Sequence, residues 1–233
     1  MKSAKLKLIA IGDLHGSSAW KRIVFADCDK AVFIGDYVDG MMKSDREIYS
    51  NLEELVQLKQ SQPEKVVLLL GNHDVQYLHY PDYRCAGFRP DAQKQLTAFF
   101  KKHRSLFQMA WQSGKYMFTH AGVSNSWFRR HKKLFLRYSY NGKNLAEVLN
   151  AIYQNAQDRA PLFEIGPARE GTSRCGGILW ADAEETCNDF LDGYHQVVGH
   201  TPMPKIKKMG NKKSSVTYID LPEYLFDYLK LEI

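Results

Sequence analysis

Five short blocks of this sequence combine glycine with side chains that bind metal ions. They are Gly12-Asp13-Leu14-His15-Gly16, Gly35-Asp36-Tyr37-Val38-Asp39-Gly40, Gly71-Asn72-His73-Asp74, Thr119-His120-Ala121-Gly122 and Gly199-His200-Thr201-Pro202. A single Gly-Asp pair is usually a turn, and a single histidine is usually an ordinary polar residue. Together, these oxygen and imidazole donors form a thiolate-free set that suits divalent ions such as Mn, Fe, Ni or Zn. The blocks therefore predict a metal centre.

The blocks follow apolar runs that have the length and composition of buried strands. In the first half of the chain these runs are Lys5–Ile11, Ala31–Ile34 and Lys65–Leu70. A helix is predicted from the capping box of Ser44 and Glu47 to a stop at Pro63, and a weaker helix over Ser17–Ala26. This alternation predicts βαβ units with parallel strands. Because ligands bind beyond the carboxyl ends of such strands, the blocks should meet at one edge.

The second half is predicted to be richer in antiparallel strands. Its helices are expected at Pro90–Arg104 and Asn144–Gln157, and its loop at Arg169–Gly177. A hairpin is expected from Met109–Gln112 and Lys115–Thr119, with Gly114 in its turn. The remaining strand-like segments are Ile178–Trp180, Gln196–Val198, Ser215–Ile219 and Tyr224–Ile233, with a turn at Gly210-Asn211.

Composition places the chain among ordinary globular proteins. It has 233 residues, a net charge of +6, 44% hydrophobic residues and 25% charged residues. We expect a single domain over residues 1–233, since mixed-sheet domains of this size are common. No apolar run is long enough to span a membrane, and Met1–Leu8 lacks the apolar core and cleavage site of a signal peptide. The four cysteines have no CxxC spacing, which predicts free thiols and a cytoplasmic location.

In their residues and order, the five blocks resemble the signature of the calcineurin-like metallophosphoesterases. Ile178-Leu179-Trp180-Ala181-Asp182 is similar to a further element of that family. The Gly-Asp-Leu-His-Gly and Gly-Asp-Tyr-Val-Asp forms most resemble the phosphoprotein phosphatases and their bacterial and phage relatives, a group that includes the diadenosine tetraphosphatases. The resemblance implies an α/β (α+β) fold, a two-layered mixed β-sandwich flanked by helices. It also implies two divalent metal ions, with Mn expected first and Fe, Zn and Ni as alternatives.

The resemblance also implies roles for particular residues. One metal would be held by Asp13, His15 and Asp36, and the second by Asp36, Asn72, His120 and His200. A carboxylate shared by both ions would partly neutralise them, since such ions lie only ~3.5–4 Å apart. The equivalent of His73 protonates the leaving oxygen in this family, and the equivalent of Asp39 orients that imidazole. A histidine held by a carboxylate keeps its proton near neutral pH, as a general acid must.

The sequence departs from the family where arginine should bind the substrate phosphate. Phosphoprotein phosphatases usually have Arg-Gly after the second block, where this chain has Gly40-Met41-Met42, and no arginine lies between Ala181 and Gly199. A bidentate arginine recognises phosphate better than a point charge does. The absence of this arginine either weakens phosphomonoester binding or moves the role to another arginine, with Arg174 as the first candidate and Arg84 and Arg89 as alternatives.

Three functional hypotheses follow from the blocks and the resemblance. The first is a binuclear metal-dependent phosphoesterase that hydrolyses phosphomonoesters, like a Ser/Thr protein phosphatase, by direct attack of a metal-bridging hydroxide. The second is hydrolysis of dinucleoside polyphosphates or other nucleotide phosphoanhydrides or phosphodiesters. The third is a non-catalytic binder of phospho-ligands or nucleic acid. The expected partner is a phosphorylated protein or a small phosphoester or nucleotide. The basic clusters are more often solvated surface, so we expect no stable nucleic-acid complex and no membrane partner.

Overall fold

Two five-stranded sheets form the framework of the chain in a computed structural model that describes residues 5–233. The first sheet contains β1 (Lys7–Ile11), β2 (Lys30–Phe33), β3 (Val66–Leu69), β4 (Phe107–Gln108) and β10 (Leu229–Glu232), in the order β10-β1-β2-β3-β4. The second contains β5 (Ala110–Ser113), β6 (Tyr116–Thr119), β7 (His195–Val198), β8 (Lys207–Gly210) and β9 (Ser215–Tyr218), in the order β5-β6-β7-β9-β8. Both sheets are built around parallel strands; the first has one antiparallel edge strand, β10, and the second has two, β5 and β8.

Helices flank the two sheets. They are α1 (Asp45–Ser61), α2 (Asn72–Leu78), α3 (Pro90–Lys102), α4 (Asn125–Arg130), α5 (Lys132–Arg137), α6 (Leu145–Gln154) and α7 (Ala183–Asn188). The predicted capping box is present at the start of α1, where Ser44 Oγ accepts from the Glu47 amide at 3.3 Å and a Glu47 carboxylate oxygen accepts from the Ser44 amide at 2.8 Å.

The core confirms the predicted two-layered sandwich. Side chains of the first sheet meet those of the second in one buried cluster made of Leu8, Ala10, Val32, Ile34, Val67, Leu69, Phe118, Val197 and Ile219. The alternate side chains of β1 to β3 point the other way and pack under the helices with Ile48, Leu52 and Leu55 of α1. Period-two alternation thus lets each short strand of the first sheet serve two apolar layers.

The strand directions bring the motif blocks together, as predicted. β1, β2 and β3 are parallel, and so are β6, β7 and β9. The blocks that follow β1 and β7 touch directly, because the His200 amide lies 3.1 Å from a carboxylate oxygen of Asp13. Those that follow β2 and β6 also touch, since His120 Nδ1 lies 3.0 Å from the Ile34 carbonyl oxygen. One edge of the sandwich therefore carries all the candidate ligands.

Several predicted elements are wrong in this structure. Ser17–Ala26 forms two 3-10 segments, Ala19–Arg22 and Phe25–Asp27. Ile178–Trp180 is a turn, because the amides of Trp180 and Ala181 both bond back to the Gly177 carbonyl. Only the last part of Tyr224–Ile233 is a strand, and the strands β4 and β8 and the helices α2, α4, α5 and α7 were not predicted. β8 is an edge strand whose charged residues Lys207 and Lys208 give it no apolar strand pattern. α2 was missed because it begins within a motif block, at Asn72.

Within the residues that the structure describes, no helix is both long enough and apolar enough to cross a membrane. The expectation about Met1–Leu8 lies partly outside those residues. The four cysteines are unpaired, as predicted.

His79 at the end of α2 is packed among aromatic rings and makes stability depend on pH. Its Nε2 lies 2.9 Å from the Tyr153 hydroxyl, and its ring contacts Tyr83 and Phe163 edge-on. Burial, and then the positive charges of Arg159 and Arg104, lower the pKa of His79 to about 4. In the unfolded chain the same group has a pKa near ~6.5.

We therefore expect the free energy of unfolding to fall by about 2 kcal/mol between pH 7 and pH 5 through His79 alone, because the unfolded state takes up a proton that the folded state excludes. Urea unfolding of the metal-free protein at the two pH values measures this loss. His79→Gln should show a shallower pH dependence than the native chain. Equal slopes for the two proteins would contradict the assignment.

Candidate active site

Four candidate ligands converge on a single point at the edge of the sandwich. His120 Nε2 lies 2.9 Å from Asn72 Oδ1, 3.2 Å from His200 Nδ1 and 3.4 Å from Asp36 Oδ2. All four residues are buried, and His120 and Asp36 are 0% and 2% exposed. Because Nδ1 of His120 contacts the Ile34 carbonyl, Nε2 is the nitrogen that faces the other donors.

This arrangement fits a divalent cation. Two imidazole nitrogens, an amide oxygen and a carboxylate oxygen face one another in a buried space, and a positive ion between them would satisfy all four. His200 Nε2 is also buried without a hydrogen-bond partner among the described residues. The donor set is thus chemically suited to the metal that the sequence predicts.

A second group of donors shares Asp36. His15 Nε2 lies 3.9 Å from Asp36 Oδ2, and the ligand atoms of His15, Asp36 and His73 all lie within 4.8 Å of one another. His15 Nδ1 is held by the Val38 carbonyl at 3.0 Å, which turns Nε2 toward Asp36. Asp13 lies outside this close group and accepts from the His200 amide with both oxygens. Asp36 therefore occupies the position of a shared ligand.

Charges at the site are strongly coupled. Burial raises the pKa of Asp36, but the imidazoles of His120, His73 and His15 outweigh it and hold that pKa well below its ordinary value. Burial lowers the pKa of His120, yet Asp36 and Asp13 raise it to about 9. Burial and then the charge of Asp220 raise the pKa of Asp13 well above its ordinary value. The carboxylate of Asp36 and the imidazole of His120 thus stabilise each other's charged forms.

The backbone at the site is strained and closely packed. His15, Asp36, Asp39 and His200 have φ values of 45°, 53°, 67° and 66°, in the left-handed region that ordinary residues avoid. A Cβ on Gly71 would lie 2.1 Å from Asp36 Oδ1. Glycine is therefore required there for steric reasons.

Asp74, the last residue of the third block, holds two of these turns together. It is 0% exposed, and its carboxylate accepts from the backbone amides of Asp36, Tyr37 and Gly71 at 2.8, 2.9 and 2.8 Å. These bonds tie the end of β2 to the start of α2, so Asp74 positions Asp36 without facing the donors itself.

His73 and Asp39 form a second buried pair beside the donors. Asp39 is fully buried at its side chain, and its Oδ2 lies 3.0 Å from His73 Nδ1. Gln76 and the Tyr77 hydroxyl also donate to the Asp39 carboxylate. Burial lowers the pKa of His73, but Asp36 and the bond to Asp39 raise it to about 12. Because Nδ1 faces Asp39, Nε2 is the nitrogen of His73 that remains for a reacting group.

The structure places the candidate arginines apart from one another. Arg174 is exposed beside a cavity of about 400 Å³ whose lining contains none of the candidate metal ligands. Arg84 stacks over Phe88, with 4.3 Å between its guanidinium carbon and the ring centroid. Arg89 is tied to Asp45 and to the carbonyls of Gly40 and Lys43. None of these three contacts a candidate ligand.

Arg169 is the arginine next to the donors, and the sequence analysis missed it. Its Nη2 lies 2.8 Å from Thr201 Oγ1 and 3.4 Å from the His200 carbonyl, and its Nε lies 2.7 Å from Asp182. These contacts join residues that no short motif connects, so the sequence contained no local pattern for them.

Asp220 is a further acidic residue that was missed. It lies two residues beyond the end of β9, close enough to Asp13 for its charge to act on that carboxyl group. Burial and the charge of Asp36 raise the pKa of Asp220 to about 7. An apolar run followed directly by aspartate was a usable pattern here, although no glycine accompanies it.

One edge of the two-layered sandwich carries donors that could hold a metal ion. The family model for calcineurin-like phosphoesterases matches residues 6–224. The chain therefore belongs to the calcineurin-like phosphoesterase family, whose members typically bind two divalent metals, and it is a phosphoric ester hydrolase.

Solved structures show the same fold at low sequence identity. A cold-active protein-tyrosine phosphatase from a psychrophilic Shewanella species is 20% identical, with a TM-score of 0.65 over 97% of this chain and 75% of that one. A protein serine/threonine phosphatase from Saccharomyces cerevisiae with similarity to human PP5 is 15% identical, with a TM-score of 0.52 over 93% of this chain and 68% of that one. No curated protein matches the sequence significantly.

Proposed function

We propose that this chain is a phosphomonoesterase that resembles the Ser/Thr protein phosphatases and uses two divalent metal ions. The observation that carries the proposal is the His73–Asp39 pair, at 3.0 Å, placed beside the converging donors. A cluster of donors by itself could bind a metal ion for a purely structural or ligand-binding role. A carboxylate-held imidazole beside it adds a group that can deliver a proton, which hydrolysis of a phosphate ester requires.

Each candidate ligand has a place in this proposal. Asp13, His15 and Asp36 would hold one ion, and Asp36, Asn72, His120 and His200 the other, with Mn expected first and Fe, Zn or Ni as alternatives. When bound, such ions supply Lewis acidity at the phosphoryl oxygens and an activated water as nucleophile. The neutral amide of Asn72 limits the negative charge of the site, which favours an anionic substrate.

His73 would donate the proton that the leaving oxygen takes up. Its Nδ1 is held by Asp39, and Gln76 and Tyr77 hold Asp39 in turn. The imidazole is therefore kept in one orientation, with Nε2 toward the cleft. Such positioning reduces the reorganisation that proton transfer needs.

Arg169 is our candidate for binding the substrate phosphate. Asp182 and Thr201 hold its Nε and Nη2, which leaves Nη1 for an anion beside His200. We expect Arg169→Gln to raise KM for a phosphomonoester about tenfold and to weaken inhibition by inorganic phosphate, while kcat changes little, because a charged hydrogen bond to the phosphate is lost. Initial-rate kinetics with phosphate as inhibitor measure both effects.

Arg174→Gln is the matched control, since Arg174 was the residue predicted for this role from the sequence. The assignment to Arg169 requires that this variant keep its KM. A rise in KM for Arg174→Gln, with Arg169→Gln unchanged, would instead support the original prediction.

Hydrolysis of an aryl phosphomonoester beside the matching diester tests the proposed function. Both would be assayed with Mn²⁺ and with a chelator. We expect metal-dependent turnover of the monoester. Turnover of the diester alone would contradict the phosphomonoesterase proposal.

Hydrolysis of nucleotide phosphoanhydrides is the second candidate function. It is favoured by the absence of an arginine at Gly40, because the family usually binds the phosphate of a phosphomonoester with an arginine at this position. A Cβ on Gly40 would lie 1.9 Å from the His15 carbonyl oxygen, so the backbone itself excludes a side chain at this position. Release of nucleotides from a dinucleoside tetraphosphate, with no phosphomonoesterase activity, would establish this alternative.

We also propose that residues 1–233 act as one unit in the cytoplasm. The support is that both sheets supply donors to a single site and that the four thiols are unpaired.

A further inference from the structure

Exposed apolar side chains are concentrated beside the candidate active site. The described residues include seven large hydrophobic side chains that are exposed, and four of them lie on two short segments: Met41, Met42, Tyr224 and Leu225. Their exposed fractions are 92%, 85%, 84% and 41%. We call these four residues the apolar rim. Clustered apolar exposure marks interaction surfaces, whereas single exposed apolar residues need no explanation.

The two segments of the rim are joined and held firmly. Lys43 Nζ lies 2.7 Å from Glu223 Oε1, so the residues that directly follow Met42 and precede Tyr224 form an ion pair. Arg89 donates to the carbonyls of Gly40 and Lys43 at 3.1 and 3.0 Å, one on each side of the methionines. The exposure of the methionines is thus imposed by a braced turn.

The rim is continuous with the site. Gly40 packs directly against the His15 carbonyl, and His15 is 39% exposed at its side chain. A small cleft of about 50 Å³ is lined by Asp13 and His15 together with Glu223 and Phe226, the chain neighbours of Tyr224 and Leu225. A group bound at Asp36 and His15 would therefore extend toward the rim.

The charges around the rim suit a substrate that carries a single phosphoryl group next to an apolar side chain. Two cations that flank it are already paired, Lys43 with Glu223 and Arg89 with Asp45, and Arg22 stacks over the Phe226 ring. The additional phosphates of a polyphosphate substrate would gain little from Lys43 and Arg89, because those two charges are already neutralised. Methionine, in contrast, adapts its flexible thioether to varied apolar and aromatic surfaces.

We propose that the apolar rim binds a large apolar side chain next to the phosphorylated residue of a protein substrate. This inference rests on the proposed phosphomonoesterase function and names its substrate class. The rim begins directly after Gly40, which occupies the position of the arginine that the family usually has, so recognition on this side of the cleft depends on apolar contact with the flanking peptide.

Kinetics with paired phosphopeptides test the inference. The two peptides differ only in having leucine or alanine at the positions on either side of the phosphoserine. The native protein should prefer the leucine peptide about tenfold in kcat/KM, since burial of one or two such side chains accounts for a difference of this size. Met41→Gln combined with Met42→Gln should abolish that preference, and Tyr224→Ser should reduce it, while turnover of a small aryl phosphate stays unchanged.

Leu136→Gln is the matched control, because Leu136 is 56% exposed on α5, outside the rim. It should leave the peptide preference intact. If the native protein hydrolyses both peptides equally, or if the methionine variants keep the preference, the inference is wrong and the proposed function stands. If the native protein cleaves no phosphomonoester and releases nucleotides from dinucleoside tetraphosphate, both are overturned.

Discussion

Asp36→Asn is expected to remove bound metal and to lower turnover on the order of 10³-fold or more. Asp36 is the one residue that belongs to both groups of converging donors, with His15 and His73 on one side and His120 and His200 on the other. Loss of its charge therefore weakens both ion sites at once. The histidines around it would then face one another without the carboxylate that keeps them neutralised.

The substitution is well suited to this test because the fold should survive it. Asp36 accepts from the His73 amide at 2.9 Å through Oδ1, and an asparagine oxygen can accept in the same way. Asparagine also tolerates the φ of 53° at this position better than most residues do. Metal content after gel filtration, measured beside turnover, separates loss of metal from loss of fold.

Asp192→Asn provides the control, since the Asp192 side chain is 75% exposed and belongs to none of the motif blocks. It should retain both metal and turnover. Full metal content and near-native turnover in Asp36→Asn would mean that Asp36 is not the shared ligand.

The candidate donors can be recognised in the sequence because they lie in short blocks at strand ends. Parallel pairing orders the blocks within each sheet, and the packing of the two sheets then places Asp36 near His120. The same reasoning missed Arg169, whose contacts with Asp182 and Thr201 join loops that are distant in sequence. Sequence motifs report residues that are close together in the chain, whereas the position of Arg169 depends on how distant loops pack against each other.

Errors in the secondary-structure prediction have a similar origin. Ile178–Trp180 has the composition of a strand, but the preceding glycine starts a turn whose amides bond back to Gly177. The Ile178 carbonyl then accepts from the Ala121 amide at 2.8 Å, directly after His120. The apolar segment thus supports the ligand block from the side rather than extending a sheet, and only tertiary contacts decide between these outcomes.

His73→Asn is expected to lower kcat by about 10²- to 10⁴-fold with metal content retained, because a proton donor is lost and the metal ligands remain. His73 could instead be a metal ligand. One of its nitrogens lies within 4.8 Å of a His15 nitrogen and of an Asp36 carboxylate oxygen.

Leaving groups of different basicity distinguish these roles. A general acid matters most when the leaving oxygen is basic, so His73→Asn should slow an alkyl phosphate far more than a nitrophenyl phosphate. Asp39→Asn should show the same pattern more weakly, because Asp39 holds His73 Nδ1 at 3.0 Å. Loss of metal from His73→Asn, with equal slowing of both substrates, would assign His73 to the metal. Because Nδ1 already faces Asp39, only Nε2 is free to take either role, and the two roles are mutually exclusive.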